Sequence, residues 1–112
     1  MTQWARELKG REERVAIPIM THPGIEFCNY RVVDAVKDGK VHFQAVKKLY
    51  EMYPSAAATV IMDLTVEAEA FGAEVNFPEN EVPRVIGNLV TDIEDVRKLA
   101  IPDMNRGRLQ EY

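Results

Sequence analysis

The sequence is poor in cysteine, because Cys28 is the single thiol among its 112 residues. One thiol cannot form an intramolecular disulfide, and it cannot by itself build a thiolate cage around a metal ion. Structural sites of those two kinds are therefore excluded. A free cysteine behaves as a small apolar side chain, and we expect Cys28 to be buried.

The sequence also lacks long apolar runs and clusters of positive charge. No run approaches the ~18 apolar residues of a bilayer-spanning helix. The amino terminus is charged from Arg6 onward and has no apolar signal region. The longest basic cluster is Lys47–Lys48 and the formal net charge is −4, which argues against a nucleic-acid or membrane surface. A cytoplasmic protein is the resulting prediction.

A buried strand followed by a helix is predicted in the centre of the chain. The apolar run Ala56–Met62 ends at Asp63, and a stretch with helical character, Leu64–Phe71, is closed by Gly72. A strand that is apolar on both faces is typical of a parallel sheet covered on two sides. Such folds place their chemistry at the carboxyl ends of the strands, where Asp63 lies.

An earlier strand is predicted at Val15–Met20. Pro18 lies inside it and cannot donate to a β-ladder, which favours a sheet edge or an irregular strand. The turn sequence Thr21–Gly24 follows. If the two strands are parallel, His22 lies at the same end of the sheet as Asp63.

Helical spacing of apolar residues predicts helices at Thr2–Gly10, around Val32–Val36 and over Phe43–Tyr53. Asp38 is the expected N-cap of the last of these helices. Its aromatic residues Phe43, Tyr50 and Tyr53 have the spacing of core residues. His42 is expected to be solvated.

The second half of the chain predicts a loose hairpin and a capped helix. Ala73–Phe77 alternates apolar and polar residues, and Arg84–Ile86 can return as its partner strand. The helix Asp92–Leu99 is expected to begin with a capping box in which Thr91 caps and Glu94 reaches back. Strands that alternate with helices indicate βαβ units, hence an α/β fold with a parallel sheet.

Three stretches resemble the uroporphyrinogen decarboxylase superfamily: Leu8-x-Gly10-x-x-Glu13-Arg14-Val15, the block Met62–Pro83, and the run Asp95–Asp103. This superfamily joins porphyrinogen decarboxylases to the methylcobamide:coenzyme M methyltransferases and related corrinoid-dependent enzymes. The resemblance implies a TIM barrel in which Val15–Met20 and Ala57–Met62 are the first two strands.

A closed TIM barrel takes about 250 residues, or at least about 200. The chain is therefore expected to be the amino-terminal part of a barrel, a single domain over residues 1–112 with no internal boundary. Its open sheet edge favours self-association or a partner that supplies the rest of the barrel. A complete small α/β domain that pairs with itself and has no catalysis is the alternative.

The sequence departs from the decarboxylase branch after the first predicted strand. That branch carries the arginine-rich loop Met-Arg-Gln-Ala-Gly-Arg, which holds substrate carboxylates, whereas this chain has Met20-Thr21-His22-Pro23-Gly24. The departure favours the methyltransferase branch, with uroporphyrinogen decarboxylation in porphyrin and heme biosynthesis as the alternative. For an intact methyltransferase the resemblance implies zinc and a corrinoid partner. The zinc ligands come from later parts of the barrel, and no cofactor is expected to bind this chain alone.

Three residues are candidates for a site. The resemblance places Asp63 at the active-site end of the second strand, and its alternative role is to cap the following helix. His22 is a candidate proton donor or substrate contact, or a turn residue. Glu67 and Glu69 are interpreted first as first-turn acids favoured by the helix dipole. Of the two, Glu67 is the candidate substrate contact, because it lies closer to Asp63 along the chain. The expected substrate of the intact protein is a small molecule or a corrinoid protein.

Overall fold

The computed structural model describes all residues from Met1 to Tyr112 and consists mainly of short helices. In chain order the elements are α1 Gln3–Lys9, α2 His22–Phe27, α3 Val32–Lys37, α4 Gly39–Met52, α5 Val66–Phe71, β1 Glu74–Asn76, β2 Arg84–Ile86, α6 Ile93–Lys98 and a final 3₁₀ turn Leu109–Glu111. None of the helices combines the length and apolar character needed to cross a bilayer.

The core lies between α2, α3 and α4 and includes one residue of the central apolar run. Its buried members are Ile25, Val32, Ala35, Val36, Ala45 and Ile61, and Val41 and Phe77 pack against them. Only 16 of the 112 residues are buried. The core is therefore small, and most of the apolar central run lies outside it.

Helices α2 and α4 approach closely because Gly24 has no side chain. A Cβ atom at Gly24 would lie 2.2 Å from the carbonyl oxygen of Ala45, well inside van der Waals contact. Small residues at a helix crossing allow the backbones to come together. This contact determines which face of α4 is buried.

The buried face of α4 differs from the prediction. It carries His42, Ala45 and Leu49, whereas Phe43 is 60% exposed and Tyr50 and Tyr53 are also exposed. The expectation that the aromatic residues form the core and that His42 is solvated is wrong. The helix is turned by about one residue, or about 100°, because the close α2 contact selects the small Ala45.

The predicted break between α3 and α4 is confirmed, although α4 begins at Gly39, four residues before the predicted Phe43. Asp38 separates the two helices, and its Oδ1 accepts hydrogen bonds from the backbone N–H groups of Lys40 at 2.8 Å and Val41 at 3.3 Å. The predicted amino-terminal helix is also present, with Thr2 accepting from the N–H of Ala5 at 3.3 Å. The predicted Asp38 cap is therefore correct, and Thr2, predicted as the first residue of α1, is its N-cap.

The two predicted parallel strands are not β-strands in the structure, although the segments are neighbours. A single backbone hydrogen bond joins them, from Ala56 N–H to Ala16 O at 3.4 Å. Two hydroxyl groups use carbonyls at the same boundary: Thr21 donates to Thr59 O at 3.3 Å, and Thr59 donates to Pro18 O at 3.1 Å. Pro18 has no N–H to offer, so no ladder forms.

The contact between residues 16 and 56 is followed by the contact between residues 18 and 59, so the pairing advances in the same direction along both segments, and Thr59 also contacts Thr21 beyond Pro18. The segments therefore run parallel, as predicted, without forming a sheet. The predicted parallel α/β sheet is replaced by helices and one two-stranded antiparallel sheet. These elements alone do not establish a partial TIM barrel.

The predicted hairpin is confirmed. Strands β1 and β2 pair antiparallel with Val75 opposite Val85. The loop between them is tied to α3, because Val33 N–H donates to Glu79 O at 3.1 Å and Arg31 forms an ion pair with the Glu79 carboxylate at 3.1 Å.

Helix α6 forms where predicted, but its cap is shifted by one residue. Asp92 accepts from the N–H of Asp95 at 2.9 Å, and the Asp95 carboxylate accepts from the N–H and hydroxyl of Thr91. The predicted cap Thr91 is thus a donor, and Glu94 pairs with Arg97. A carboxylate is the better acceptor, since it can take both Thr91 donors.

Candidate functional site

Asp63 lies in the turn between the central apolar run and α5, and its side chain is only 1% exposed. Oδ1 accepts hydrogen bonds from Thr65, 2.9 Å from the backbone N–H and 2.7 Å from the hydroxyl. Oδ2 accepts from Arg108 Nη1 at 2.5 Å and from the Tyr112 hydroxyl at 3.4 Å. The alternative predicted for Asp63, a cap of the following helix, is not formed: the N-cap of α5 is Thr65, no side chain caps the first turn of that helix, and Oδ1 of Asp63 accepts only from Thr65 itself.

Arg108 is the cation of this site, and its side chain is 8% exposed. Beside Asp63, the guanidinium donates from Nε to Glu69 Oε2 at 2.6 Å and from Nη2 to Thr65 Oγ1 at 2.8 Å. A further Nη1 hydrogen bond reaches the carbonyl of Val36 at 3.1 Å. We call Asp63, Thr65, Glu69, Arg108 and Tyr112 the Asp63 network.

The Asp63 network holds both of its central groups in their charged forms. Burial acts to raise the pKa of Asp63, but hydrogen bonds from Arg108 and Thr65, with the charge of Arg108, lower it below its ordinary value. Burial acts to lower the pKa of Arg108, and the two carboxylates more than offset this. The pKa of Tyr112 is raised by burial and by the negative charge of Asp63.

His42 lies beside the Asp63 network and is buried, contrary to prediction. Its Nε2 accepts a hydrogen bond from the N–H of Ile61 at 2.8 Å, so this ring nitrogen carries no proton. The ring meets Tyr112 edge-on with centroids 5.3 Å apart. Burial lowers the pKa of His42. Its role here is to satisfy a backbone donor of the central run.

His22 and Glu67 lie away from the Asp63 carboxylate. His22 is exposed in the first turn of α2, where a turn was predicted, and it borders an open apolar cleft with Met20, Val60 and Met62. Glu67 is exposed in the first turn of α5. No hydrogen bond or ion pair joins either residue to Asp63, whose polar contacts are all within its own network.

The chain has no group of three or more His, Cys, Asp or Glu side chains arranged to hold a metal ion. The possible ligand atoms of His42 and Cys28 are also unsuitable for a metal ion. His42 uses Nε2 for the Ile61 amide, and Cys28 is half-buried with its Sγ 3.8 Å from the carbonyl of Gln44. The residues of this chain therefore do not fit a zinc ion, and no chemical step is derived through one.

Sequence reasoning missed Arg108 and Tyr112, and it interpreted Glu69 only as a first-turn acid of the helix. Arg108 lies 45 residues from Asp63 in a polar stretch with no recognisable element pattern. One signal was available: an acid placed after a buried apolar run needs a cation or several donors. That requirement predicts that a partner exists, but it does not identify which of the arginines and lysines provides it.

Comparison with known proteins identifies the family to which this chain is related. The family model for uroporphyrinogen decarboxylase (URO-D) matches residues 14–112. The chain belongs to the uroporphyrinogen decarboxylase family. The predicted resemblance is therefore confirmed, and the matched range includes His22, Asp63, Glu67 and Arg108.

A methyltransferase from Methanosarcina mazei has the same fold as this uroporphyrinogen decarboxylase family chain. The solved structure of that methyltransferase matches the chain with a TM-score of 0.71 and 22% sequence identity. The match covers 93% of this chain and 33% of the methyltransferase. The chain thus spans about a third of the length of that protein. No curated protein matches the sequence.

Proposed function

We propose that this chain is one part of a corrinoid-linked methyltransferase of the uroporphyrinogen decarboxylase family. In the proposed reaction the sulfur of a thiol takes the methyl group of a methylcobamide and releases its proton. Cobalt keeps the electron pair of the broken cobalt–carbon bond. Family membership and the shared fold with the Methanosarcina mazei methyltransferase support this proposal.

The observation that carries the proposal is the segment Met20–Gly24, which contains no arginine. A porphyrinogen has many carboxylates, and binding them takes cations with bidentate geometry. The arginine that follows next in the chain, Arg31, is committed to Asp34 at 2.7 Å and Glu79 at 3.1 Å. The segment at the edge of the apolar cleft is therefore better suited to a substrate without clustered carboxylates.

The uncovered apolar surface supports a partner that completes the barrel. Ile19 is 69% exposed, and Val60 and Met62 beside it are exposed as well. These side chains border one cleft between the two parallel segments. In a barrel, such positions are covered by further strands or helices. We accordingly propose that the isolated chain is inactive and that it self-associates or binds the remainder of the barrel.

Within the assembled protein, Asp63 and His22 are the proposed catalytic residues and Glu67 the proposed substrate contact. His22 is exposed and suited to exchange a proton with the thiol. Zinc and the corrinoid protein belong to the proposal only for the assembled protein, with zinc ligands supplied from outside this chain. A cytoplasmic location is part of the same proposal.

The test is reconstitution. The chain is co-expressed with a polypeptide that supplies the rest of a barrel from this family, and methyl transfer from methylcobalamin to a thiol is followed with and without added zinc. We expect transfer by the complex, none by the chain alone, and a loss of at least about tenfold in His22→Gln. Glu12→Gln, at an exposed position that does not line the cleft, is the control. A complex that forms but transfers no methyl group contradicts the proposal.

Uroporphyrinogen decarboxylation is the second candidate, because the matching family model carries that description. It predicts that the reconstituted protein binds a porphyrinogen and that Asp63→Asn abolishes binding while Glu67→Gln does not. Binding with release of carbon dioxide favours this candidate over methyl transfer. Absence of porphyrinogen binding at micromolar concentration eliminates it.

A further inference from the structure

The Asp63 carboxylate has no free acceptor position. Two carboxylate oxygens offer about four lone-pair positions, and four donors occupy them: the N–H and hydroxyl of Thr65 on Oδ1, and Arg108 and Tyr112 on Oδ2. Three of these contacts are 2.9 Å or shorter, and the Tyr112 contact is 3.4 Å. The carboxylate is therefore held in one orientation by its surroundings.

Arg108 is itself held from several sides, independently of Asp63. Glu69 accepts from Nε at 2.6 Å, Thr65 Oγ1 accepts from Nη2 at 2.8 Å, and the carbonyl of Val36 accepts from Nη1 at 3.1 Å. The guanidinium also lies over the ring of Phe77, 4.7 Å from its centroid. A planar fork with this many partners cannot turn away from Asp63 without losing several hydrogen bonds.

We propose that Arg108 is a positioning residue of the candidate site, whose guanidinium holds the Asp63 carboxylate ionised and in a single orientation. Thr65 completes the arrangement, because its hydroxyl donates to Asp63 and accepts from Arg108. Glu69 holds Arg108 through a separate hydrogen bond to Nε.

The proposal specifies what Asp63 can do in catalysis, and this part rests on the proposed function. A carboxylate held ionised by a buried cation acts as a fixed negative charge and does not donate a proton near neutral pH. A substrate donor reaches Asp63 only by displacing a present partner, and the long Tyr112 contact is the weakest of the four. Asp63 therefore acts by orienting a positively charged group or by stabilising positive charge. Proton exchange is carried out by another group.

The experiment is NMR on the 112-residue chain, with the Asp63 carboxyl carbon and the Arg108 side-chain N–H signals followed together against pH. The charged or titratable groups around Asp63 are Arg108, Tyr112 and, through them, Glu69 and His42. We expect Asp63 to titrate below its ordinary range and the Arg108 signals to shift at the same midpoint. Either Asp63 titrating in its ordinary range or Arg108 signals that do not follow it overturns the proposal.

Variants separate positioning from general stabilisation. Arg108→Gln removes the charge, and we expect the Asp63 midpoint to rise; Arg108→Lys keeps the charge without the fork, and we expect an intermediate midpoint. Arg97→Gln, which removes an exposed arginine paired with Glu94, is the control and leaves the midpoint unchanged. If Arg108→Gln does not fold, the wild-type titration still decides the matter. Because no methyl transfer is measured, failure of the proposed function leaves these results intact.

Discussion

At the scale of single residues, the unusual feature is the contact of three charged side chains, Asp63, Glu69 and Arg108, in the Asp63 network. Asp63 and Glu69 share Arg108, so the group carries an excess negative charge that only Thr65 and Tyr112 donors offset. Burying charges costs several kcal/mol per ion, and good hydrogen-bond geometry is needed to recover it. Removal of Arg108 therefore leaves both carboxylates without their cation, whereas removal of one carboxylate leaves Arg108 with a single ion pair.

Asp63→Ala is expected to lower the free energy of unfolding by about 3 kcal/mol, because Arg108 loses its closest partner in a buried setting. Glu67→Ala, four residues along the chain and exposed, is the matched control and should change it by less than about 0.5 kcal/mol. Urea unfolding monitored by circular dichroism measures both. Equal effects of the two substitutions contradict a buried ion pair at Asp63.

The buried His42 predicts that the stability of the folded chain depends on pH. Burial lowers its pKa in the folded chain, so the unfolded chain binds a proton at higher pH. Stability is then lost as the pH falls below the unfolded value of about 6.5, with a limiting slope of about 1.4 kcal/mol per pH unit. The lowered pKa of Asp63 acts in the same direction, but only below about pH 4.

Urea unfolding at pH 7.5 and pH 5.5 tests this. The wild-type chain should be less stable at pH 5.5, and His42→Gln, which keeps an acceptor for Ile61 N–H, should lose most of that difference. His22→Gln replaces an exposed imidazole and should keep the wild-type difference. A wild-type chain equally stable at both pH values excludes a buried neutral His42.

At the scale of elements, the contact between α2 and α4 decides how the core is built. Gly24 allows the backbone of α2 to touch the carbonyl of Ala45. The buried side of α4 consequently carries Ala45 and His42 in place of the larger aromatic residues. Hydrophobicity and spacing favoured Phe43 for this position, but its ring does not fit so narrow a crossing.

Gly24→Ala is expected to destabilise the chain by about 1 to 3 kcal/mol, because its Cβ would lie 2.2 Å from a backbone carbonyl that cannot move independently. Gly10→Ala, at the end of α1, places its Cβ 3.5 Å from the Arg6 carbonyl, an ordinary contact, and is the control. Thermal unfolding compares the two. If Gly24→Ala is as stable as Gly10→Ala, the close helix contact is incorrect.

At the scale of the whole molecule, the chain is extended for its size. The radius of gyration is 17.4 Å, whereas a compact chain of this length has about 13 Å. Large apolar side chains remain exposed along both parallel segments and beyond α6, including Ile101 at 93%. Surface of this kind is normally covered by a partner or a second copy.

Self-association is therefore expected at micromolar concentration, and Ile19→Lys with Met62→Lys should weaken it by at least about tenfold. Asn80→Lys with Gln110→Lys changes the net charge equally at exposed polar positions and should leave association unchanged. Sedimentation equilibrium measures the constants. A wild-type chain that stays monomeric and binds no hydrophobic dye rules out self-association through the apolar cleft.

The parts of the fold that follow from neighbouring residues could be predicted. The Asp38 cap, the helices on either side of it and the hairpin of β1 and β2 were recognised because their signals lie within a few residues of each element. The α6 cap was misplaced by one residue because Thr91 and Asp92 are both good caps, and only the position of Asp95 selects between them.

By itself, the sequence determined helix α1, helices α3 to α6, the hairpin, the parallel course of Val15–Met20 and Ala57–Met62, and membership of the uroporphyrinogen decarboxylase family. Helix α2 was not predicted, because its first residues have the sequence of a turn. The tertiary structure alone decided which cation neutralises Asp63, which face of α4 is buried, and that the two segments form no ladder. The physical reason is the separation along the chain of the residues that interact. Capping and turn energies arise between near neighbours in the sequence. Burial and ion pairing depend on residues, such as Asp63 and Arg108, that only folding brings together.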